Sequence, residues 1–373
     1  MAHILMLSTM DGTPWGGSEL LWADAASHLV RQGHQVSACT MLHPGVTVPA
    51  LQKLQGEGVQ LHHWRRLPKV FRLVRSPERL TTPNPQHFLA KLRPDLLLIN
   101  NGYQVPPAVW TEAAYELGIP YAHLCHSFIE SIWPDEAVIS RGAKALERAA
   151  AAFWVSESNQ RGAYRQFVAV APVSEVVRNP YQVSRDIPFS WPGNEGLQLA
   201  FVGRLANAHK GCDLLLEVLQ QQKWQGRNLH VSFFGTGPSE ARLKLLAERW
   251  GLNNVSFRGH VSDVDGIWRE HHALVLPSRQ EGLPIVIVEA MMRGRPCIVT
   301  EVAGNAELLV RGETGFVADG PNVRALDRAL EEAWAAREQL REIGERAYQQ
   351  IRAAVPAEPG AVFAQRLLQL IGQ

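Results

Sequence analysis

Leu197-Gln198-Leu199-Ala200-Phe201-Val202-Gly203-Arg204-Leu205 is an apolar run that stops at a glycine and a cation, and a helical pattern over Cys212–Gln222 follows it. A buried strand reads as a short continuous apolar run, and a glycine after it marks a strand-to-helix turn. The alternation continues through strands at Leu229–Phe234, Val255–Phe257, Ala273–Leu276 and Pro296–Thr300. Helices are predicted between them at Ser239–Trp250, Asp263–Glu270 and Pro284–Arg293. Strand and helix in repeated succession predict a parallel sheet with helices on both faces.

Toward the N-terminus, Val170–Gly196 is rich in Pro, Asn, Gly and Ser and reads as a linker, with Pro172, Asn179-Pro180, Pro188 and Trp191-Pro192-Gly193-Asn194. An earlier α/β half precedes it. Its strands are expected at Ile4–Leu7, Gln35–Thr40, Val59–His63, Asp95–Asn100, Tyr121–Cys125 and Ala151–Val155, with a first helix from Glu19 to Gln32 ended by Gly33. Toward the C-terminus, Val323–Arg352 is one long helical pattern. A last amphipathic helix, Ala361–Ile371, follows Pro356, Pro359 and Gly360. The expected domains are 1–178 and 179–357, with a C-terminal helix within 358–373 packing back on the first.

Composition agrees with this division. The 373 residues exceed one ordinary core. Apolar residues make up 46% and charged residues 20%, as in soluble globular proteins. A net charge of +1 argues against nucleic acid as a partner. Cys39, Cys125, Cys212 and Cys297 are scattered and form no CxxC pair. They are expected as buried reduced thiols, which favours a cytoplasmic protein over a disulfide or zinc framework. The apolar start at Ile4–Leu7 is too short for a signal peptide, and no run is long enough to span a bilayer.

Ligands of open α/β sheets sit at the carboxyl ends of strands. Three glycine-rich segments fall there: Trp15-Gly16-Gly17-Ser18-Glu19, Gly203-Arg204 leading to Lys210-Gly211, and Gly235-Thr236-Gly237-Pro238. Each is either a tight turn or a phosphate cradle, and none fits GxGxxG. Arg204 and Lys210 follow the first strand of the second half. Fixed cations there stabilise the charge that grows on a departing diphosphate, at about 1.5–3 kcal/mol per charge-assisted contact. The segment Leu276-Pro277-Ser278-Arg279-Gln280-Glu281-Gly282-Leu283-Pro284 leads into a helix that carries Glu289. Two carboxylates then flank a helix start, where N–H groups near Gly282 and Leu283 are placed to meet phosphate or sugar oxygens.

Glu281 and Glu289, separated by seven residues, resemble the EX7E motif of retaining glycosyltransferases. With Pro277-Ser278, Pro284, Glu289-Ala290-Met291 and Gly294-Arg295-Pro296, the block is similar to glycosyltransferase family 4 (glycosyl transferases group 1). Val202-Gly203-Arg204-Leu205 with Lys210-Gly211 extends the likeness, as do Gly304, Glu307, Gly312 and Thr314-Gly315-Phe316. The resemblance covers nearly the whole second half. In the first half it rests on Gly16-Gly17, and at the linker on Asn179-Pro180. It implies a GT-B fold, α/β, with two Rossmann-like domains whose parallel sheets face a central cleft. The acceptor domain comes first and the donor domain second.

The resemblance also implies roles. Arg204 and Lys210 hold the donor diphosphate, Glu281 binds hydroxyls of the transferred sugar, and Glu289 binds the ribose. Gly17 lets the first domain reach the phosphates. Gly203, Gly235, Gly282, Leu283 and Pro284 line the donor, and His260 and Val261 contact the base. Glu307 is either part of the loop behind the donor or structural. His126, after the strand ending at Cys125, contacts the donor sugar; Ser127 follows it where the family commonly has Asp, and His123 is the competing histidine. Asp263-Val264-Asp265 matches the DXD metal motif of another glycosyltransferase fold, and reads better as a helix start rich in acids. No metal or other cofactor is therefore expected.

The implied activity is a hexosyltransferase-type transfer (EC 2.4) from a nucleotide-diphosphate sugar to a glycan, lipid-linked or small-molecule acceptor, with retention, in polysaccharide biosynthesis. No second carboxylate is spaced as a nucleophile, so a front-face route is expected, in which the leaving phosphate oxygen helps take the acceptor proton. Domain closure would expel water. Two alternatives stay open: a nucleotide-sugar epimerase of the same architecture, and a non-catalytic sugar-nucleotide-binding protein. Residues 65–93 hold Arg65, Arg66, Lys69, Arg72, Arg75, Arg79, Lys91 and Arg93 against Glu78. That stretch is either a peripheral contact with anionic lipid at the inner face of the membrane or a solvated surface. Trp15, Tyr103, Phe128 and Trp133 are loop aromatics that either stack on a sugar ring or pack in the core.

Overall fold

The computed structural model describes residues 1–10, 12–66, 81–82, 84–186, 190–193 and 196–372. The chain divides into two compact units, Met1–Pro180 with Glu358–Gln373, and Tyr181–Ala357. Lys69, Arg72, Arg75 and Arg79 of the basic stretch lie outside the described residues, as do Pro188 and Asn194 of the expected linker.

The first unit holds β1 (His3–Ser8), β2 (Gln35–Met41), β3 (Gln60–Arg66), β4 (Thr81–Thr82), β5 (Leu96–Asn101), β6 (Tyr121–Cys125), β7 (Ala151–Trp154) and β8 (Val173–Val176). They form one sheet in the order β4-β3-β2-β1-β5-β6-β7-β8. All its described pairs are parallel except β3 with β4. Side chains alternate between two faces along each strand. Ile4, Met6, Leu96, Leu98, Leu124 and Phe153 pack on one face with Trp22 and Leu29. Leu5, Leu7, Leu97, Ile99 and Tyr121 pack on the other with Trp110, Phe128 and Phe167. The last helix, Pro359–Gln369, belongs to this unit. It packs on the helix Leu20–Arg31, and Phe363 meets Phe153 edge-on at 5.0 Å between ring centres.

The second unit holds β9 (Leu197–Val202), β10 (Leu229–Phe234), β11 (Val255–Gly259), β12 (Ala273–Leu276), β13 (Cys297–Thr300) and β14 (Gly315–Ala318). Their order is β11-β10-β9-β12-β13-β14, and all described pairs are parallel. In both sheets chain order reverses direction once, at β1/β5 and at β9/β12. At such a reversal the crossover connections leave toward opposite faces, which opens a crevice at the strands' carboxyl ends.

Several expected elements are corrected. Val173–Val176, inside the expected linker, is the edge strand β8. Gly315–Ala318 adds β14, which was not anticipated. The tail is two helices, Val323–Ala335 and Leu340–Ala354, separated by a 3-10 turn at Arg337–Gln339. Pro284 stands just before the helix Ile285–Met292 in extended backbone, not inside its first turn. All four cysteines are buried and unpaired. Among the described residues no helix is long and apolar enough to cross a membrane.

The helix Leu340–Ala354 packs on Ile285–Met292 with Gly344 at a close approach. A Cβ on Gly344 would stand 1.9 Å from the carbonyl oxygen of Gly294. In an open helix Gly→Ala stabilises by about 1 kcal/mol. Here Gly344→Ala is expected to destabilise by about 1–3 kcal/mol, because the backbone must move to admit the methyl. Denaturant unfolding measures the sign, and a gain in stability would contradict this packing.

Candidate active site

In the second unit the site forms where the loops after β9 and β12 separate. Gly203 ends the first of these strands, and its N–H donates to the Phe234 carbonyl at 2.9 Å. Gly235, after β10, has φ of 125°, and a Cβ there would meet the Gly203 carbonyl oxygen at 2.0 Å. Gly235 therefore lets two strand ends touch backbone to backbone. Gly211 has φ of 61° and seats the end of the Asn207–Lys210 helix against Pro277, whose carbonyl oxygen would lie 2.1 Å from a Cβ.

These contacts deliver Lys210 to Glu281. Lys210 Nζ donates to Glu281 Oε1 at 2.5 Å, and Ser278 Oγ donates to the same oxygen at 2.7 Å. The pair is largely buried, with side-chain exposures of 20% and 9%. The two loops are also sewn together behind it. The N–H groups of Arg279 and Gln280 both donate to the His209 carbonyl. The Arg279 guanidinium donates to the Asn207 carbonyl at 2.8 Å and forks onto Asp213 at 2.6 and 2.8 Å. That bidentate pair raises the Arg279 pKa further. Thr300 Oγ1 donates to the Ser278 carbonyl at 2.6 Å, which ties β13 to the same loop.

Arg204 is exposed, and its side chain has no partner among the described residues. Gly282, Leu283 and Pro284 are buried; the Gly282 carbonyl accepts from the Gly304 N–H at 2.8 Å. His260 is exposed and Val261 half-buried, directly after β11, whose Gly259 carbonyl accepts from the Gly235 N–H at 2.7 Å. Glu289 stands apart from Glu281. It is buried in the helix, and its Oε1 accepts the backbone N–H of Gln182 at 3.0 Å. Burial pushes its carboxyl up to about 7, with the nearby Asp265 charge acting in the same direction. Asp263 caps its helix through Gly266 N–H at 3.0 Å and pairs with Arg269 at 2.7 Å, while Asp265 pairs with Arg293. Both acids of the DXD-like segment are thus engaged in structure.

In the first unit Gly17 opens a 3-10 turn, Gly17–Glu19, after β1. The turn carries Glu19 inward, where it is 2% exposed. Glu19 accepts from Ser8 Oγ at 3.0 Å, Trp22 Nε1 at 2.7 Å and Asn100 Nδ2 at 3.1 Å. Asn100 Oδ1 lies 2.7 Å from His126 Nε2. Burial pushes the His126 imidazole down to about 3, so the ring is neutral near pH 7. His123, the competing histidine, is wholly inside β6, also pushed down by burial, to about 4. Trp15 packs edge-on against Trp22, and Phe128 is buried; of the four loop aromatics, Tyr103 and Trp133 are exposed, at 54% and 59%.

The structure thus gathers Gly203, Gly235, Lys210 and Glu281 in one unit, with Arg204 next to Gly203 in the chain, and Gly17 and His126 around one polar cluster in the other. Sequence reasoning missed Ser278, Arg279 and Asp213 as braces, and Glu19 and Asn100 as partners of His126. Asp213 and Arg279 stand far apart in sequence, and no local spacing marks their contact.

Glu289 supplies a pH test. A carboxyl raised to about 7 contributes most to stability below its unfolded value near 4.5, and the contribution is lost as pH rises through about 7. Glu289→Gln is expected to remove that slope and to gain on the parent by up to about 3 kcal/mol above neutral pH. Unfolding free energies from pH 5 to 8 test it; parallel curves would show that the group carries no such shift.

Residues 185–350 match the model of glycosyl transferases group 1, and residues 16–188 match a glycosyl transferase 4-like domain. The chain is 34% identical over 152 residues to the D-rhamnosyltransferase WbpZ of Pseudomonas aeruginosa, 39% of this chain and 38% of that protein. It is 34% identical over 120 residues to the alpha-D-kanosaminyltransferase of Streptomyces kanamyceticus, 31% of each. It therefore spans under two-fifths of the length of these curated relatives. Among solved structures it is similar to Anabaena HepE in complex with UDP, with a TM-score of 0.77 at 18% identity, covering 98% of this chain and 99% of that one. The sucrose-phosphate synthase of Thermosynechococcus elongatus gives a TM-score of 0.74 at 18% identity, with 98% of each chain covered. The two family models between them take in both units, and the chain belongs to the group 1, family 4-like glycosyltransferases and has their GT-B fold.

Proposed function

We propose that this chain moves a glycosyl group from a nucleoside-diphosphate sugar to a glycan, lipid-linked or small-molecule acceptor, with retention of configuration and without a divalent metal. The observation that carries this reading is the buried Lys210–Glu281–Ser278 cluster at the β9/β12 reversal, beside the Gly203 turn. Lys210 and the exposed Arg204 supply positive charge where a diphosphate leaves. The charge on that group is greatest in the transition state, so the cations lower the barrier more than they tighten ground-state binding. Glu281, braced on one oxygen by Lys210 and Ser278, is a rigid acceptor for sugar hydroxyls. The two cations take the part a metal plays elsewhere, and Asp263 and Asp265 are already committed to a helix cap and an ion pair.

The relatives favour this reading. HepE is described in complex with UDP and with UDP-glucose, and similar proteins include colanic acid and Vi polysaccharide biosynthesis proteins. An acceptor in polysaccharide biosynthesis suits that company. Glu289 is the candidate for the ribose and the His260–Val261 backbone for the base. The front-face route fits, because the departing phosphate oxygen takes the acceptor proton and no second carboxylate is required.

A panel of sugar nucleotides, screened by thermal shift with EDTA present, identifies the donor as the compound that raises the melting point. The anomeric proton of the product, read by NMR, is expected to show retention; inversion, or an epimer formed from donor alone, overturns the reading. Arg204→Ala and Lys210→Ala are each expected to lower kcat/KM by about 10- to 100-fold, matching about 1.5–3 kcal/mol per contact. Unchanged turnover in both variants would remove the diphosphate from this site.

A further inference from the structure

The first unit holds a buried polar chain that runs across the β1/β5 reversal: Glu19, Asn100, His126. Its polarity is set at one end. Glu19 Oε1 takes Ser8 Oγ and Asn100 Nδ2, and Oε2 takes Trp22 Nε1. Ser8 Oγ itself accepts the Met10 N–H at 3.2 Å, so its own proton is left for Glu19. Burial raises the Glu19 carboxyl above its ordinary value, and the hydrogen bonds from Trp22, Ser8, Ser18 and Asn100 work against that rise. With donors on both oxygens it acts as a carboxylate, which only accepts. Asn100 must then turn its NH2 to Glu19, which leaves Oδ1 facing His126 Nε2. An amide oxygen cannot donate, so Nε2 carries the ring proton. Nδ1 is consequently a lone pair, and that atom is buried and without a partner among the described residues. His126 is 7% exposed. A buried acceptor without a donor carries a cost that a ligand hydroxyl would remove.

We propose that Glu19, acting through Asn100, is a positioning residue that fixes His126 as the Nε2–H tautomer and so reserves Nδ1 to accept a hydroxyl of the substrate. This rests on the glycosyl-transfer reading for the identity of the hydroxyl, a sugar O–H, but the tautomer itself does not depend on it. The neutral ring neither takes nor gives a proton in this role. It orients a hydroxyl by accepting from it, and the orientation is inherited from a carboxylate two hydrogen bonds away. Glu19 is placed by the turn that begins at Gly17, which gives that glycine segment a task besides close approach to phosphate.

The test is histidine-selective 15N NMR on the full-length protein near neutral pH, with the His126 signals assigned by their loss in His126→Asn. The expected result is a pure Nε2–H pattern in the parent; an Nδ1–H pattern overturns the proposal. Asn100→Leu and Glu19→Leu are each expected to give mixed tautomers and to lower kcat/KM by about tenfold or more, the loss that follows from breaking a buried hydrogen bond. Should Glu19→Leu not fold, Asn100→Leu breaks the same chain one bond further along. A folded variant that keeps a pure Nε2–H ring and parental kcat/KM also overturns it. If no sugar nucleotide in the panel is turned over by the parent, the glycosyl-transfer reading fails, while the spectrum of the free protein still judges the relay.

Discussion

A parallel sheet whose strand order reverses once must leave a crevice at the carboxyl edge of the reversal, because connections on either side leave toward opposite faces. This chain contains two such sheets, and in each the polar side chains gathered at that edge bind one another. In Tyr181–Ala357 the bond across the gap is Lys210 to Glu281. In the other unit it is Asn100 to Glu19. Neither bond is local in sequence, and both join loops that follow strands adjacent at the reversal or the end of such a strand. Topology selects which side chains meet, and side-chain chemistry selects what they do there.

The two gatherings differ in kind. The Lys210–Glu281 pair is partly open to solvent, and Arg204 beside it is exposed. A braced ion pair with an exposed cation beside it suits a ligand that arrives charged. The Glu19–Asn100–His126 chain is closed to solvent, with the Asn100 amide bonded to Glu19 on one side and to His126 on the other. Such a chain in a low-dielectric setting is rigid and specific, and suits discrimination among neutral groups. Arg279 and Asp213, behind the first cluster, hold the backbone that presents Lys210 and Glu281.

Much of the fold was legible because parallel strands are buried on both faces and read as unbroken apolar runs. Tyr121–Cys125 and Leu229–Phe234 are found where the apolar runs placed them. Val173–Val176 escaped notice because it is an edge strand, half-buried throughout, with Ser174 and Glu175 in its middle and Pro172 before it. Gly315–Ala318 escaped because a glycine opens it; Cys297 and Leu309 crowd that position too closely for any side chain. The break at Arg337–Gln339 falls among residues that all favour helix, so composition could not mark it. At the site, the motif residues were legible through their spacing. Their partners were not, since Glu19 and Asn100 stand 81 positions apart and meet only once the sheet is assembled.

The helix Pro359–Gln369 belongs to the unit that begins with β1, so that unit is interrupted in the chain by all of Tyr181–Ala357. During synthesis, Phe363 and Leu367 reach the ribosome exit after every residue of the intervening unit. Until then Trp22 and Phe153 lack part of their cover. The C-terminal unit is continuous and can close as it emerges, whereas the N-terminal unit, though made first, is sealed last.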